Sequence, residues 1–375
     1  MSLTPTEKLE HYLCAPGNGV FTVQTAKEKK EVLHRQLYGA IGDDANTEWK
    51  KKLKEYAYYK VDKPFVFGIC HDNGGGILRG ANWGPLFVRQ VMYEKLTEES
   101  ITYDIGDIRV IPHLLMDKYL NEATVRSCRS ALYGNEHLEL AVSPLSIAQE
   151  VVKSVYELNE GARFFAIGGD HSISYPLTKA YIQQQRARGK KVGIIHFDAH
   201  TDLLQQRLGI DICFGSWTYH ILNDLERPYH VVQIGIRSSG KPKEHWEEKY
   251  GVRQYWNYDV RKRGMRAIAE ETIEHMKKEG IEEIYLTFDI DAVDAKYASA
   301  TGTPEKDGIT PDEAVEAIQM FSEHLNITSG DLAEVAPFVS ASHSGAEADE
   351  PEATLETAGE VSKAIIEAIQ FPKAK

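Results

Sequence analysis

Asp198, His200 and Asp202 alternate at the end of the stretch Lys191–Asp202, which begins as an apolar, β-branched run typical of a buried strand. Because side chains on an extended backbone repeat their direction every two residues, we expect these three groups to face one side. Two carboxylates and an imidazole suit a hard or borderline divalent cation, and burying them without one would be costly. His196 lies within the apolar run, and we interpret it as a core histidine or a support for a ligand. The stretch therefore predicts a metal site at the carboxyl end of a strand.

Two further clusters of the same kind follow apolar runs elsewhere in the chain. His171 comes after the run Arg163–Ile167, and Asp289 and Asp291 close the run Glu283–Asp291. The carboxyl ends of parallel strands share one edge of a sheet, where α/β proteins bind ligands. With the first cluster they supply two imidazoles and four carboxylates, too much negative charge for one divalent ion. The sequence thus predicts a pair of metal ions that share a water.

The segments around these clusters alternate between strand and helix patterns. Apolar runs predict strands, and apolar residues at helical spacing predict the helices between them. Besides the strands above, the predicted strands are Pro64–Cys70, Tyr103–Asp107, His230–Ile236 and Ser329–Val335, and the predicted helices are Pro144–Leu158, Tyr175–Arg186, Met265–Glu279, Thr310–His324 and Glu352–Ile369. This order predicts an α/β fold with a mostly parallel sheet that helices cover on both faces.

The chain is predicted to divide into a main domain and an extension. We expect residues 61–375 to form one α/β domain, because neither an internal repeat nor a low-complexity linker divides them. Residues 1–60 are predicted to be an N-terminal helical extension, with helices over Thr25–Tyr38 and Asp43–Tyr59 that a turn connects. We interpret these helices as packing on the main domain or on a neighbouring subunit; the alternative is a regulatory or substrate-gating role.

The composition of the 375 residues limits the classes of partner. The formal net charge is −13, and no Lys/Arg cluster is organised as a nucleic-acid patch, which argues against nucleic acid and is compatible with a small cationic substrate. The four cysteines are scattered without a CxxC pair, so we expect neither a disulfide framework nor a zinc–thiolate site. No apolar run reaches about 18 residues, and no signal peptide is apparent, so we expect no membrane span. These features predict a cytoplasmic protein.

Several motifs of the chain are similar to those of the ureohydrolase family, which contains arginases, agmatinases and formiminoglutamases. They are GGDHS, FDAHTD, TFDIDAVDA with the TGTP that follows it, RGANWGPLFVR and DLAEVAP. The resemblance implies a three-layer arginase/deacetylase-type α/β fold with a central parallel sheet of about eight strands. It also implies two Mn²⁺ ions per subunit and a homotrimer or homohexamer. Ni²⁺ or another divalent metal would also suit such ligands.

Carried over residue by residue, the resemblance implies the ligands of both ions. One ion would be held by His171, Asp198, Asp202 and Asp289, and the other by His200, Asp198, Asp289 and Asp291. A metal-bridging hydroxide would attack the guanidino carbon and release urea and an amine, and Asp202 would pass the proton to the leaving amine. Glu334 would bind the guanidinium group through a charge-assisted pair. The implied substrates are guanidino compounds of the agmatine, arginine, guanidinobutyrate or guanidine type.

One loop departs from the family pattern. Arginases and agmatinases carry a His-Gly step there, whereas this chain has Phe214 before Gly215, and His220 lies more than a helical turn away. We expect Phe214 and Trp217 to contact the substrate as walls of its pocket. Since formiminoglutamases also lack the loop histidine, hydrolysis of a formimino C–N bond is the alternative function. A catalytically silent family member is a third hypothesis, which the complete set of ligands disfavours.

Overall fold

The computed structural model describes residues 3–20, 24–58, 63–75, 78–97, 100, 102–339 and 351–370. Its strands, numbered along the chain, are β1 (Leu13–Cys14), β2 (Phe65–Gly68), β3 (Tyr103–Ile108), β4 (Phe164–Ile167), β5 (Val192–Phe197), β6 (Val231–Ile236), β7 (Arg253–Trp256), β8 (Glu283–Asp289) and β9 (Ile327–Ala333). They form a single sheet in the order β1-β3-β2-β4-β9-β8-β5-β6-β7.

The sheet confirms the predicted architecture. Strands β2 to β9 pair in parallel, and β1 is a two-residue strand that pairs antiparallel with β3 at the edge. All six residues of β5 are buried, as a parallel strand between two helical layers requires. Successive side chains serve opposite faces of the sheet: Phe164 and Ile194 belong to one apolar core, whereas Phe165 and Ile195 belong to the other.

Thirteen α-helices lie within the described residues. They are α1 (Pro5–Tyr12), α2 (Lys27–Tyr38), α3 (Gly42–Tyr58), α4 (Gly84–Lys95), α5 (Glu122–Tyr133), α6 (Pro144–Leu158), α7 (Ser174–Ala187), α8 (Trp217–Ile221), α9 (Lys243–Tyr250), α10 (Asn257–Arg263), α11 (Met265–Lys278), α12 (Pro311–His324) and α13 (Pro351–Gln370). Helices α6 and α7 supply the core on one face of the sheet, and α4, α12 and α13 supply it on the other. The fold therefore has three layers. None of the helices in the described ranges has the length and apolar character needed to cross a membrane.

A buried ion-pair network attaches the first residues of the chain to the sheet. Asp107 on β3 accepts hydrogen bonds at Oδ2 from the backbone amides of Gly17, at 2.6 Å, and Gly19, at 3.2 Å. Its other oxygen accepts from Arg89 Nη1 at 2.6 Å, and Arg89 also donates to Asp104 at 2.7 Å. Both partners of the Arg89–Asp107 pair are fully buried. The loop after β1 is thus held by charges inside the main sheet.

Candidate metal centre

Four neighbouring strands in the middle of the sheet, β4, β9, β8 and β5, end at the same edge. His171 follows β4, Asp198 follows β5, Asp289 is the last residue of β8, and Glu334 follows β9. All four side chains are buried. The topology thus brings residues from four separate parts of the chain to one place, as the position of each at a strand end predicts.

Local turns fix the ligand groups that follow each strand. Asp198 Oδ1 accepts a hydrogen bond from the backbone amide of His200 at 2.6 Å, and Asp289 Oδ1 accepts one from the amide of Asp291 at 2.8 Å. An aspartate that binds the amide two residues on makes a tight turn. In both turns the first carboxylate and the side chain two residues later therefore lie near each other.

We call His171, Asp198, Asp202 and Asp289 the inner cluster. His171 Nδ1 lies 3.1 Å from Asp198 Oδ2, 3.2 Å from Asp202 Oδ2 and 3.1 Å from Asp289 Oδ2. An imidazole nitrogen carries at most one hydrogen and cannot donate to three oxygens. Ligand atoms about 2.1 Å from an octahedral cation lie about 3 Å from each other, which matches these separations. The separations between His171 Nδ1 and the three carboxylates therefore match those between ligands of one metal ion.

Thr287 and Asp331 determine which nitrogen of His171 faces this cluster as an acceptor. The Thr287 hydroxyl donates to Asp331 Oδ1 at 2.7 Å, so its oxygen accepts from His171 Nε2 at 3.0 Å. In the neutral ring the Nδ1 lone pair then points at three carboxylate oxygens, an arrangement that a proton or a metal ion between them stabilises. Burial would lower the pKa of His171, but its hydrogen bonds to the carboxylates raise that pKa well above the ordinary value. The cluster thus demands either a proton or a metal ion at Nδ1.

We call Asp198, His200 and Asp291 the outer cluster. His200 Nδ1 lies 3.1 Å from Asp291 Oδ2 and 3.4 Å from Asp198 Oδ1. On the far side of the imidazole ring, His200 Nε2 lies 3.4 Å from Glu305 Oε1. The other ligand, Asp291, accepts a hydrogen bond at Oδ2 from the Thr303 hydroxyl at 2.9 Å. A carboxylate behind a ligating histidine is the usual support of a metal-bound imidazole. Asp198 belongs to both clusters, with one oxygen toward each.

The charges of the carboxylates fit divalent cations. Burial raises the pKa of Asp289 well above the ordinary value, and the carboxylates of Asp291 and Asp198 raise it further. Burial and the charge of Asp198 likewise raise the pKa of Asp202. Buried oxygen and imidazole donors with this much uncompensated negative charge match hard or borderline divalent ions. His196 also lies near the inner cluster, but its Nε2 contacts Asp198 and its Nδ1 contacts Gln233.

Glu334 lies beside the inner cluster in a left-handed backbone conformation, with a φ of 65°. Its Oε1 accepts a hydrogen bond from the backbone amide of His171 at 2.8 Å. Burial raises the pKa of Glu334 well above the ordinary value, and the carboxylates of Asp289 and Asp170 add to the rise. A buried carboxylate surrounded by negative charge is stabilised by any cationic group that binds next to it.

The loop after β5 places its aromatic residues in different environments. Trp217 is fully buried, and its indole N–H donates to Asp202 Oδ2 at 2.7 Å. Phe214 is half-buried; its backbone amide donates to the Gly74 carbonyl at 2.9 Å, and the guanidinium of Arg207 lies 5.0 Å above its ring. Trp217 thus contacts a carboxylate of the inner cluster, and the substrate contacts of Phe214 and Trp217 stay a prediction.

Three residues outside the predicted site orient the two clusters from behind. Thr287, Asp331 and Glu305 contact the histidines or support them. Thr287 and Asp331 open the motifs TFDIDAVDA and DLAEVAP, and Glu305 follows TGTP, but neither the motifs nor their spacing gave these three residues a role. A signal exists in the strands: Thr287 interrupts the apolar run of β8, and the charged Asp331 lies inside the buried strand β9, where a polar side chain needs a partner. The identity of that partner depends on strand order, which the sequence does not contain.

The arginase family model matches residues 63–362. The guanidino acid hydrolase of Homo sapiens mitochondria is 30% identical over 290 residues, which span 74% of this chain and 72% of the relative. A guanidinobutyrase of Pseudomonas aeruginosa is 33% identical over 284 residues, 74% of this chain and 79% of that protein. The solved formimidoylglutamase of Bacillus subtilis shares the fold, with a TM-score of 0.64 and 19% identity over 84% of this chain and 88% of its own. The chain therefore belongs to the arginase family, hydrolases that act on amidine C–N bonds.

Proposed function

We propose that the protein is a binuclear metal-dependent amidinohydrolase that cleaves a guanidino compound to urea and an amine. The position of the Asp198 carboxylate carries this proposal. Its Oδ2 faces His171 at 3.1 Å and its Oδ1 faces His200 at 3.4 Å. A carboxylate that presents one oxygen to each of two clusters is suited to bridging a pair of ions. Asp202 and Asp289 would complete the inner site, and Asp289 and Asp291 would complete the outer one.

Next to that pair of metal ions, we propose that Asp202 transfers a proton. Two divalent cations, which we propose to be Mn²⁺ or alternatively Ni²⁺, would lower the pKa of a shared water and polarise the substrate. Asp202 directs Oδ2 toward His171 and receives the Trp217 N–H on that same oxygen. We propose that its other oxygen accepts the proton of the attacking water and passes it to the leaving amine.

Glu334 is proposed to bind the guanidinium group of the substrate. It is 4% exposed and stands at the end of β9, beside the inner cluster. The His171 amide holds one of its oxygens, and a planar cation that donates to a carboxylate would offset the negative charge around it. The relatives whose names refer to guanidino substrates support this class of compound.

The variant Glu334→Gln tests this assignment, because it keeps the shape and removes the charge. Mn²⁺ binding should stay as in the wild type, whereas kcat/KM for a guanidino substrate should fall about 100-fold, the effect of losing one partner of a buried charge pair. Glu283→Gln is the matched control, since Glu283 is also buried, at the opposite end of β8, and should change kcat/KM less than about twofold. Normal turnover by the Glu334 variant would eliminate Glu334 as the guanidinium ligand.

A substrate panel separates this function from its alternatives. The Mn²⁺-loaded protein should release urea from at least one of agmatine, arginine, guanidinobutyrate or guanidine. The formiminoglutamase-type alternative rests on Phe214, which stands where related guanidino hydrolases have histidine; it predicts formamide from formiminoglutamate and no urea. We propose that His220 does not replace the missing group; its Nε2 contact with the Gln205 carbonyl at 2.9 Å supports this. Two bound metal ions without any turnover would favour a silent family member.

We also propose that the chain acts in the cytoplasm as a homotrimer or homohexamer. All four cysteines are free thiols, as is usual in a reducing compartment. The assembly follows from the resemblance to ureohydrolases. Sedimentation of the purified protein measures it directly, and a monomer at micromolar concentration would contradict the proposed assembly.

A further inference from the structure

A row of buried, hydrogen-bonded side chains, which we call the hydrogen-bond chain, leads across three strands to the metal centre. His196 on β5 is the direct cross-strand neighbour of Gln233 on β6, which in turn neighbours Gln254 on β7. All three side chains are at most 1% exposed. Gln254 Nε2 lies 2.7 Å from Gln233 Oε1, Gln233 Nε2 lies 2.9 Å from His196 Nδ1, and His196 Nε2 lies 2.8 Å from Asp198 Oδ2. The chain therefore ends on the carboxylate shared by both clusters.

Two fixed groups determine the direction of every hydrogen bond in this chain. The indole nitrogen of Trp256 can only donate, and it lies 2.8 Å from Gln254 Oε1. Gln254 must then donate through Nε2 to Gln233 Oε1. The backbone carbonyl of Thr201, which can only accept, lies 2.7 Å from Gln233 Nε2 and independently requires the same orientation of that amide. The two fixed groups therefore require the same orientation of the Gln233 amide.

Both hydrogens of the Gln233 amide are committed. One of its hydrogens goes to the Thr201 carbonyl and the other to His196 Nδ1, while its oxygen accepts from Gln254. His196 Nδ1 is therefore an acceptor, and its hydrogen is on Nε2, from which it donates to Asp198 Oδ2. That oxygen is also the one that lies 3.1 Å from His171 Nδ1.

We propose that Gln233 is a positioning residue for the metal centre: it fixes His196 as the Nε2–H tautomer and so aims the Asp198 carboxylate between the two clusters. The same amide anchors the Thr201 carbonyl, between the side chains of His200 and Asp202 in sequence. The predicted effect on metal affinity rests on the proposed function, whereas the predicted tautomer of His196 does not. A hydrogen bond that orients a ligand from behind contributes about 10- to 100-fold to metal affinity.

The variant Gln233→Glu reverses the hydrogen bond between position 233 and His196 with almost no change of shape. A carboxylate at this position can only accept, so it faces the Thr201 carbonyl with like polarity and forces a hydrogen onto His196 Nδ1. We expect Mn²⁺ affinity, measured by calorimetry on the metal-free protein, to fall about 10- to 100-fold. Gln185→Glu is the matched control, because Gln185 is 1% exposed on α7 and its side chain contacts Arg188 and Tyr156, neither of which belongs to the metal centre. Its Mn²⁺ affinity should stay within about twofold of wild type.

The spectroscopic signature is the ¹⁵N shift pattern of His196 in metal-free protein labelled at histidine, assigned by loss of the signal in His196→Gln. The wild type and Gln185→Glu should have hydrogen on Nε2 alone, whereas Gln233→Glu should have hydrogen on Nδ1. If Gln233→Glu does not fold, Trp256→Phe replaces it; removing the terminal donor should weaken Mn²⁺ binding by at most about fivefold, one neutral hydrogen bond.

The two proposals fail in different ways. Hydrogen on Nδ1 in the wild type, or unchanged Mn²⁺ affinity in Gln233→Glu, overturns the positioning role of Gln233. A wild-type protein that binds no Mn²⁺ overturns the proposed metal centre, and the tautomer of His196 in the wild type and the variant then decides the role of Gln233 by itself.

Discussion

Two residues of the proposed active site, Asp202 and Glu334, have left-handed backbone conformations, with φ values of 51° and 65°. A residue with a Cβ loses about 1–2 kcal/mol in this conformation, and such strain collects at functional sites. At Glu334 the strain is held by the backbone, because its amide donates to the Gly169 carbonyl at 2.8 Å. The site is therefore preorganised at the expense of stability.

Comparing Glu334→Gly with Glu334→Ala measures this strain. Both variants delete the carboxylate, and only glycine adopts the left-handed conformation without a steric cost. After the greater flexibility of glycine in the unfolded chain is subtracted, the glycine variant should be more stable by about 1 kcal/mol. Urea denaturation of the metal-free proteins measures the difference. An alanine variant as stable as the glycine variant would show that position 334 is not strained.

His71 makes stability depend on pH. Burial, aided by the charge of Arg79, lowers the pKa of His71 to about 3, and both ring nitrogens lack hydrogen-bond partners among the described residues. The folded state thus keeps His71 neutral, while the unfolded state binds a proton below its pKa of about 6.5. Because the unfolded state binds more protons between these two pKa values, stability falls as the pH falls through this window.

The variant His71→Leu isolates this contribution. Between pH 7.5 and 5.5 the metal-free wild type should lose about 1.4 kcal/mol more of its free energy of unfolding than the variant does. Comparing the two proteins cancels the carboxylates that lie away from position 71; Asp170 Oδ2, 3.9 Å from His71 Nε2, is the exception. Equal losses in the two proteins would mean that His71 takes up a proton in the folded state.

At the scale of elements, one side chain holds the turn after β8. The Arg237 guanidinium donates to six backbone carbonyls, those of Gly235, Asp291, Ala292, Val293, Glu305 and Lys306. This binding joins the end of β6 to the turn that carries Asp291 and to the segment that carries Glu305. The two groups that flank His200 are thereby fixed by an arginine that lies outside both clusters.

Arg237→Lys should destabilise the protein by about 2–3 kcal/mol, because an ammonium has three donors and leaves carbonyls unpaired. The control is Arg266→Lys, since Arg266 makes an exposed ion pair with Glu316 and should change stability by less than about 0.5 kcal/mol. Chemical denaturation compares both variants with the wild type. A loss for Arg237→Lys no larger than that of the control would contradict the proposed role.

The elements that the sequence predicted best are those with long, regular patterns. Helix α6 has the predicted bounds, Pro144–Leu158, and α12 begins after Thr310, whose side chain accepts from the amide of Glu313 as a capping residue. Strand β7, with the sequence RQYW, is not predicted, because its inward-facing Gln254 breaks the apolar run. The helix over Glu122–Tyr133 is not predicted either, because it buries no residue. A polar residue inside a sheet is intelligible only once its partner on the next strand is known.

At the scale of the whole molecule, the nine strands and the helices on both faces confirm the three-layer fold that the motifs implied. The division at residue 60 stays a prediction: the sequence separates helices from the main pattern, while in the structure β1 joins the sheet and Asp107 binds the loop after it. These attachments join residues about 90 positions apart in sequence, beyond the reach of any local pattern.

The central claim is that one carboxylate, Asp198, joins two metal sites, and a calorimetric Mn²⁺ titration of the metal-free protein tests it most directly. The account predicts two Mn²⁺ per chain for the wild type, one for Asp291→Asn, and loss of binding at both sites for Asp198→Asn, with cooperative folding retained. One Mn²⁺ or none in the wild type, or two in Asp198→Asn, would contradict it.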